Sequence, residues 1–327
     1  MEHARLSLVF EKKVKKKVRS FEAPASLAPL ADTHAHLTCF WEKDPAACLA
    51  RAALVGVRQL TTLFDPVGDG MELADFQDGL RSWLADAHDL IAGNGDIARE
   101  VGEDPAALAD RVRYLVGVHP YGAPAYTDAV EETLRAALAD DRCAGIGEIG
   151  LDYHIDLDDQ VEPAPRALQI EVFSRQFAIA VEEGLPVELH LRNADGDTSR
   201  EAHADAFRVL ADVGVPTAGC VLHCFGEDRA TMERACELGC HIAYGGAATF
   251  NRNEEVREAF AATPLDRVLF ETDCPYMAPM PLRGSECEPA MIAFTADALA
   301  RDRAGRTGED PAAIQRAAWE NAVRLFG

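Results

Sequence analysis

Six side chains of metal-ligand type stand at the ends of apolar runs in this chain. His34 and His36, in Asp32-Thr33-His34-Ala35-His36, are two residues apart, so on an extended strand they project from one face and can chelate one ion. Glu148, in Gly147-Glu148-Ile149-Gly150, ends an apolar run where an uncompensated carboxylate would cost several kcal/mol. A cation removes that penalty. His190 ends PVELH, His223 ends AGCVLH and Asp273 ends RVLFETD. Any one of these histidines, taken alone, reads as a satisfied packing residue. Four imidazoles and two carboxylates on five strands read instead as a site for one or two divalent ions, with zinc, manganese and magnesium all open. His119, in GVHP, has two readings of equal weight: a contact to substrate or to a ligand, or a simple turn before Pro120. His3, His88, His203 and His241 have no such context and read as surface or packing residues.

Only a ring of strands brings those six together. Eight apolar or β-branched runs, at 31–36, 57–64, 113–118, 144–148, 186–190, 218–223, 240–245 and 267–271, alternate with amphipathic segments such as 127–139, 167–183 and 229–238. This alternation predicts parallel β/α units, and eight of them predict an α/β fold, a (β/α)8 TIM barrel whose active face lies at the C-terminal strand ends. Asp310-Pro311 predicts the start of a last helix, with a capping residue and a compatible proline.

The 327 residues, 48% hydrophobic and 27% charged, exclude a disordered chain and suffice for one large domain. With 55 acidic against 32 basic side chains, the net charge of −23 repels nucleic acid and anionic membranes at long range, so a polyanionic substrate needs a local cationic site. No apolar run approaches a membrane span, and LSLVF is too short for a secretory signal; a cytoplasmic protein with no membrane contact and no obligate protein partner is expected. Nine cysteines without a C-x-x-C pair suit reduced, packing thiols. A zinc cluster of Cys220, Cys224, Cys236 and Cys240 has loose spacing, and the parity that turns His223 inward sends Cys220, Leu222 and Cys224 outward.

Charge is uneven. Residues 1–20 hold seven basic side chains, including five of the six lysines, so EKKVKKKVRS reads first as a solvated charge run and second as a phosphate-gripping arm. Residues 21–29 read as a linker, making 1–29 a basic N-terminal extension and 30–327 the barrel. Between strands 2 and 3, residues 65–112 carry twelve acidic and three basic side chains, and Leu73, Phe76, Leu80 and Leu84 fall at helical spacing. An acidic helical insertion is expected there, as a lid beside the site.

The motifs DTHAHL, VGVHP, GIGEIGLDYH, QIEVFSRQFAIA with LPVELHLR, VLHCFG, LFETDCPYMAP, RG and ENAVRLFG follow one another in this order. From Ala31 onward the chain resembles the TatD-type metal-dependent hydrolases, amidohydrolase-like barrels that include deoxyribonucleases. The resemblance implies that His34, His36, Glu148 and Asp273 hold one metal, with Glu148 bridging to a second held by His190 and His223. It also implies phosphoester hydrolysis, typically on DNA. Paired divalent ions acidify water, supply a hydroxide nucleophile and stabilise charge on phosphoryl oxygens. Asp273 would orient that hydroxide or accept its proton, so Asp273 and Glu148 are the expected catalytic carboxylates. Arg192 and Arg283 offer forked donors to nonbridging oxygens, against the plainer reading of surface arginines. Tyr276 is a base-stacking platform or a packed loop residue.

Three departures bear on substrate. Leu191 and Asn193 stand where the family usually has serine and an acid in HSRDA or HSREA, Cys287 replaces an asparagine, and the stretch from His36 to His119 is longer. A deoxyribonuclease or phosphodiesterase is the first expectation. Hydrolysis of a small amide, lactone or ester by the same ions is the alternative. A degenerate binding barrel would have lost a ligand, and none is missing.

Overall fold

The structure, a computed structural model, describes residues 5–155 and 162–327. His3 therefore lies outside the described residues. A hairpin of β1 (Val9–Val14) and β2 (Lys17–Glu22) precedes eight parallel strands: β3 (Leu30–Ala35), β4 (Val57–Phe64), β5 (Val112–Val116), β6 (Cys143–Asp152), β7 (Val187–Arg192), β8 (Cys220–Leu222), β9 (Cys240–Tyr244) and β10 (Val268–Phe270). Consecutive strands pair from β3 to β10, and the segment after β10 closes the ring. There Asp273 N donates to His34 O and His36 N donates to Cys274 O, each at 2.9 Å. The TIM barrel expected from the eight apolar runs is the fold observed, each run overlapping one strand.

Around the ring lie α1 (Pro45–Val55), α2 (Leu73–Gly93), α3 (Asp128–Ala137), α4 (Arg166–Glu183), α5 (Glu201–Val213), α6 (Arg229–Glu237), α7 (Glu254–Ala262), α8 (Ile292–Thr307) and α9 (Pro311–Phe326). Their ends follow local chemistry. Asp44 caps α1 by accepting from Ala47 N at 2.8 Å, and Gly56, at φ 118°, ends it in a conformation that β-carbons disfavour. Asp310 caps α9 with Pro311 behind it, as the sequence predicts.

One end of the barrel is plugged and the other is left for chemistry. Ala322, Leu325 and Phe326 of α9 pack with Ala31, Leu63, Leu115, Val221, Ala243 and Leu269, filling the lower interior with apolar side chains. Asn321 fastens the plug by donating to Leu265 O and Val268 O, both at 2.8 Å. Polar residues occupy the opposite, C-terminal end.

The acidic helix α2 exists where its periodicity places it, but it is not a lid. Phe76, Leu80, Leu84, Ala87 and Ile91 form its buried stripe, with Phe76 stacked on Phe64 at 4.8 Å and edge-on to Tyr114 at 5.1 Å. Starting near the active face, its 21 residues descend about 30 Å along the flank, with the acidic side chains in solvent. An apolar stripe states that a face is covered, and here the barrel wall covers it.

The basic extension is a folded hairpin rather than a loose run. Leu6, Leu8, Phe10 and Ala23 are buried, and Phe10 meets Phe294 edge-on at 5.8 Å. Residues 21–29 are strapped to the barrel: Ala23 N donates to Leu8 O at 2.9 Å, Ser26 Oγ to Val55 O at 2.9 Å, and Leu27 N to Gln315 Oε1 at 2.8 Å.

Candidate metal centre

The strand β3 ends by presenting two imidazoles whose Nε2 atoms are 3.0 Å apart, those of His34 and His36. Glu148 Oε2 lies 3.7 Å from the first and 3.8 Å from the second. Asp273 Oδ1 completes the group at 3.8 and 3.6 Å. The other oxygen of Glu148 faces different partners. Its Oε1 lies 2.6 Å from His190 Nδ1 and 2.9 Å from His223 Nε2, and those two nitrogens are 3.3 Å apart. All six residues named from the sequence are therefore brought to one place, in two groups that share the Glu148 carboxylate.

Glu148 does not end its strand as expected. The strand β6 continues to Asp152, with a register shift between Ile146 and Ile149 as it passes β7. Gly150, at φ 149°, permits the continuation, because a β-carbon there would stand 2.0 Å from His190 O. The extra length delivers Asp152, whose Oδ2 lies 3.1 Å from His190 Nε2.

Donor chemistry and spacing fit divalent ions. Ligands about 2.0–2.2 Å from a tetrahedral ion lie roughly 3.4 Å from one another, and the first group spans 3.0 to 3.8 Å. Imidazole nitrogens and carboxylate oxygens suit zinc-like and manganese-like ions. Beneath the two groups are buried polar atoms without a hydrogen-bond partner: Glu188 Oε2, Glu271 Oε2 and His223 Nδ1. So dense a set of carboxyl and imidazole groups, without a permanent cation among them, is the complement of a metal.

The electrostatics agree. Burial alone would raise the Glu148 carboxyl, but His223, His119 and His190 around it hold it well below the usual range. Burial pushes the His34 imidazole well down, and His223 adds to the effect. Burial opposes protonation of His190, yet Asp152 and Glu148 on its two nitrogens lift it to about 10. Such opposed shifts among close neighbours mark functional sites.

Supporting carboxylates were not named from the sequence. His34 Nδ1 lies 2.7 Å from Glu188 Oε1, and His223 Nδ1 lies 3.9 Å from Glu271 Oε1. Burial pushes both glutamates well above the carboxylate range, each helped by neighbouring carboxylates. Asp32 accepts from Thr272 N at 2.8 Å and Thr272 Oγ1 at 2.6 Å, tying the strand that carries His34 to the segment that carries Asp273. A signal existed: Asp32, Glu188 and Glu271 each stand two residues before a ligand-type residue in an otherwise apolar run.

The remaining candidates divide. His119 is half-buried, its Nε2 is 3.8 Å from Glu148 Oε1, and Tyr121 N donates to its Nδ1 at 3.2 Å. Arg192 is half-exposed, with Nη1 3.9 Å from Asp152 Oδ2. Tyr276 is exposed at the mouth, edge-on to His36 at 6.1 Å. Arg283 instead lies over the Phe250 ring at 4.5 Å and makes no hydrogen bond or ion pair with the ligand-type groups among the described residues. Asn193 braces loops, donating to Glu227 Oε1 at 2.9 Å and accepting from Ala202 N at 3.1 Å.

The four cysteines of the weak zinc reading do not gather. Cys220 and Cys240 pair across β8 and β9 outside the ring. Cys224, expected to face outward, turns to the mouth because it adopts φ 46°, and its thiol is pushed well up by burial and by Asp273 and Glu271 beside it. No helix of the described residues is long and apolar enough to cross a membrane.

Comparison with known proteins identifies the family. The model of the family "TatD related DNase" matches residues 31–327. The uncharacterized metal-dependent hydrolase YcfH of Escherichia coli K12 is 38% identical over 217 residues, covering 66% of this chain and 74% of its own. The 3'-5' ssDNA/RNA exonuclease TatD of Cronobacter sakazakii is 34% identical over 238 residues, covering 69% and 82%. The crystal structure of YJJV, a TatD homologue from Escherichia coli K12, superposes with a TM-score of 0.68 at 24% identity over 92% of this chain and 98% of its own, which speaks for the fold alone. The match contains all six ligand-type residues, and the chain belongs to the TatD related DNase family of metal-dependent hydrolases.

Proposed function

We propose that this hydrolase cleaves phosphodiester bonds in single-stranded nucleic acid, using two divalent ions. The observation that carries the reading is the Glu148 carboxylate, each of whose oxygens faces its own group of ligand-type atoms. His34, His36 and Asp273 would hold one ion with Glu148, and His190 and His223 the other. Ions bound there supply Lewis acidity and make water a nucleophile near neutral pH. The name of the Cronobacter relative favours a single-stranded substrate.

The side chains themselves divide the remaining work. Asp273 would orient the attacking water and take its proton, its carboxylate standing 3.6 Å from His36 Nε2 and 3.8 Å from His34 Nε2 in the first group. His119 is held neutral, because burial and the nearby His190 push it down to about 3. Tyr121 N occupies its Nδ1, so the ring proton sits on Nε2, which faces Glu148. His119 would donate that proton in a hydrogen bond to a phosphoryl oxygen. Arg192 and Tyr276 line the same mouth and would hold the flanking phosphate and base.

The test is metal-reconstituted protein incubated with a single-stranded oligonucleotide, a generic phosphodiester and a panel of small lactones. Cleavage of the first two is expected, abolished in His190→Ala and Asp273→Ala with the fold retained. Activity confined to lactones sinks the reading and favours the small-ester alternative.

A further inference from the structure

The hairpin that precedes the barrel climbs the flank from the plugged end to the active face. Its root is pinned low: Arg5 Nη1 donates to Asp96 Oδ1 at 2.7 Å, Leu6 N to Asn94 Oδ1 at 2.9 Å, and Arg99 Nη2 to Glu22 Oε1 at 2.6 Å. These partners lie at or just beyond the lower end of α2. Higher up, Lys12 Nζ donates to Pro281 O at 3.2 Å. Pro281 belongs to the segment after β10 that carries Tyr276, whose ring is 6.1 Å from His36. Beyond Lys12 the strand continues through Lys13 and Val14 before Lys15 and Lys16 turn the chain. At about 3.3 Å per residue the turn lies roughly 7–10 Å along the strand beyond Lys12, further from the pinned root than the contact with Pro281.

That turn adds positive charge to the Arg192 guanidinium already at the mouth. Lys13, Lys15, Lys16 and Lys17 are exposed, and none is in an ion pair among the described residues, whereas Lys43 is paired with Glu288 at 2.5 Å. In a chain with 55 acidic side chains, four unneutralised lysines at one tip form a local track for a polyanion. The segment that Lys12 touches also carries one half of an aromatic step. Trp41 is 61% and Tyr276 46% exposed, their ring centroids are 6.3 Å apart, and Glu286 Oε1 fixes the Trp41 backbone by accepting its N–H at 2.5 Å. Large exposed aromatics are what unpaired bases stack on.

We infer that the lysine turn of the hairpin and the Trp41–Tyr276 step guide single-stranded nucleic acid into the mouth, the lysines on phosphates and the rings on bases. The inference rests on the reading of the mouth as a nucleic-acid site and extends it with a lysine turn that precedes the family-matched residues 31–327. Val18, 60% exposed, is the apolar side chain beside these lysines, too little apolar surface for a membrane-docking finger. The acidic remainder of the surface also repels a flat anionic bilayer.

The experiment titrates a fluorescent single-stranded oligonucleotide with metal-loaded full-length protein, read by anisotropy over a range of salt. Replacing Lys13, Lys15, Lys16 and Lys17 together by glutamine should weaken binding about tenfold or more and flatten the salt dependence, each lost phosphate contact removing about 0.7 from the log–log slope. The same four positions changed to arginine should restore both. Trp41→Ala should weaken binding about tenfold with the slope unchanged. Unchanged affinity and slope in the glutamine variant overturn the inference, as does hairpin-dependent binding of phosphatidylserine vesicles in place of oligonucleotide. Hydrolysis of a dinucleotide by the wild-type protein is scored separately: its loss with hairpin-dependent binding intact sinks the catalytic reading alone, and the converse sinks the track alone.

Discussion

His34 is held at both ends of its ring: Nδ1 lies 2.7 Å from Glu188 Oε1, while Nε2 lies 3.0 Å from His36 Nε2. Glu188 is fully buried and sits two residues before His190 on the same strand face. One carboxyl thus orients a ligand on β3 from the strand that supplies a different ligand.

Glu188→Ala should therefore weaken metal binding about 10- to 100-fold, the usual cost of removing a partner behind a metal-bound histidine. Glu188→Gln keeps an acceptor for Nδ1–H and should lose far less. Competitive titration against a chromophoric chelator separates the two. Equal affinities in the alanine variant and the wild type would leave Glu188 with a packing role only.

If His190 holds an ion as proposed, metal uptake becomes a proton exchange. In the metal-free protein its imidazole is lifted to about 10 against an ordinary value of 6.5, burial being outweighed by Asp152 and Glu148. A ligand nitrogen must be bare, so an ion binding at neutral pH expels that proton and affinity rises with pH. Calorimetry in buffers of different ionisation enthalpy should detect proton release, and identical heats in all buffers would contradict it. Stability follows the same group. A raised folded-state pKa stabilises the metal-free protein fully below about 6.5, and this contribution is lost as pH climbs toward about 10. The melting temperature should fall across that window, and His190→Gln should flatten the fall.

His119 donates to substrate in the proposed mechanism without holding an ion. His119→Ala should lower kcat by about 10² while leaving metal affinity near wild type, in the range of a lost proton-donating group. Because the ring is neutral down to about 3, its removal should not move the acid limb of the pH–rate profile above pH 5. Loss of metal together with activity would make His119 a ligand instead.

The strands were legible because a parallel barrel buries both faces, leaving apolar runs such as 218–222 and 268–270. The six ligand-type residues were legible for the same reason, since each interrupts such a run. Glu188 and Glu271 interrupt their runs as well, two residues before His190 and Asp273, but their supporting role was not legible, because the histidines they face lie on other strands. The hairpin was concealed by its charge, although Leu6, Leu8 and Phe10 alternate with polar or exposed positions and that period of two is a strand signal. For α2 the spacing of Phe76, Leu80 and Leu84 fixed the buried face and carried no information about which surface covers it.

The plug separates stability from chemistry. Phe326 is buried against the lower barrel layer, on the side of Leu63 and Leu269 away from the candidate centre. Phe326→Ala removes a large side chain from a site walled by strands that cannot collapse inward, and should cost about 3–5 kcal/mol. The unfolding free energy of the metal-loaded protein, read from denaturant titration, should fall by that amount. Metal stoichiometry and kcat measured on the folded fraction should remain at wild-type values, because no contact of Phe326 reaches a ligand-type residue. A parallel loss of metal would mean that the lower layer sets the spacing of the ligands above it, and the two ends of the barrel would have to be treated as one coupled unit.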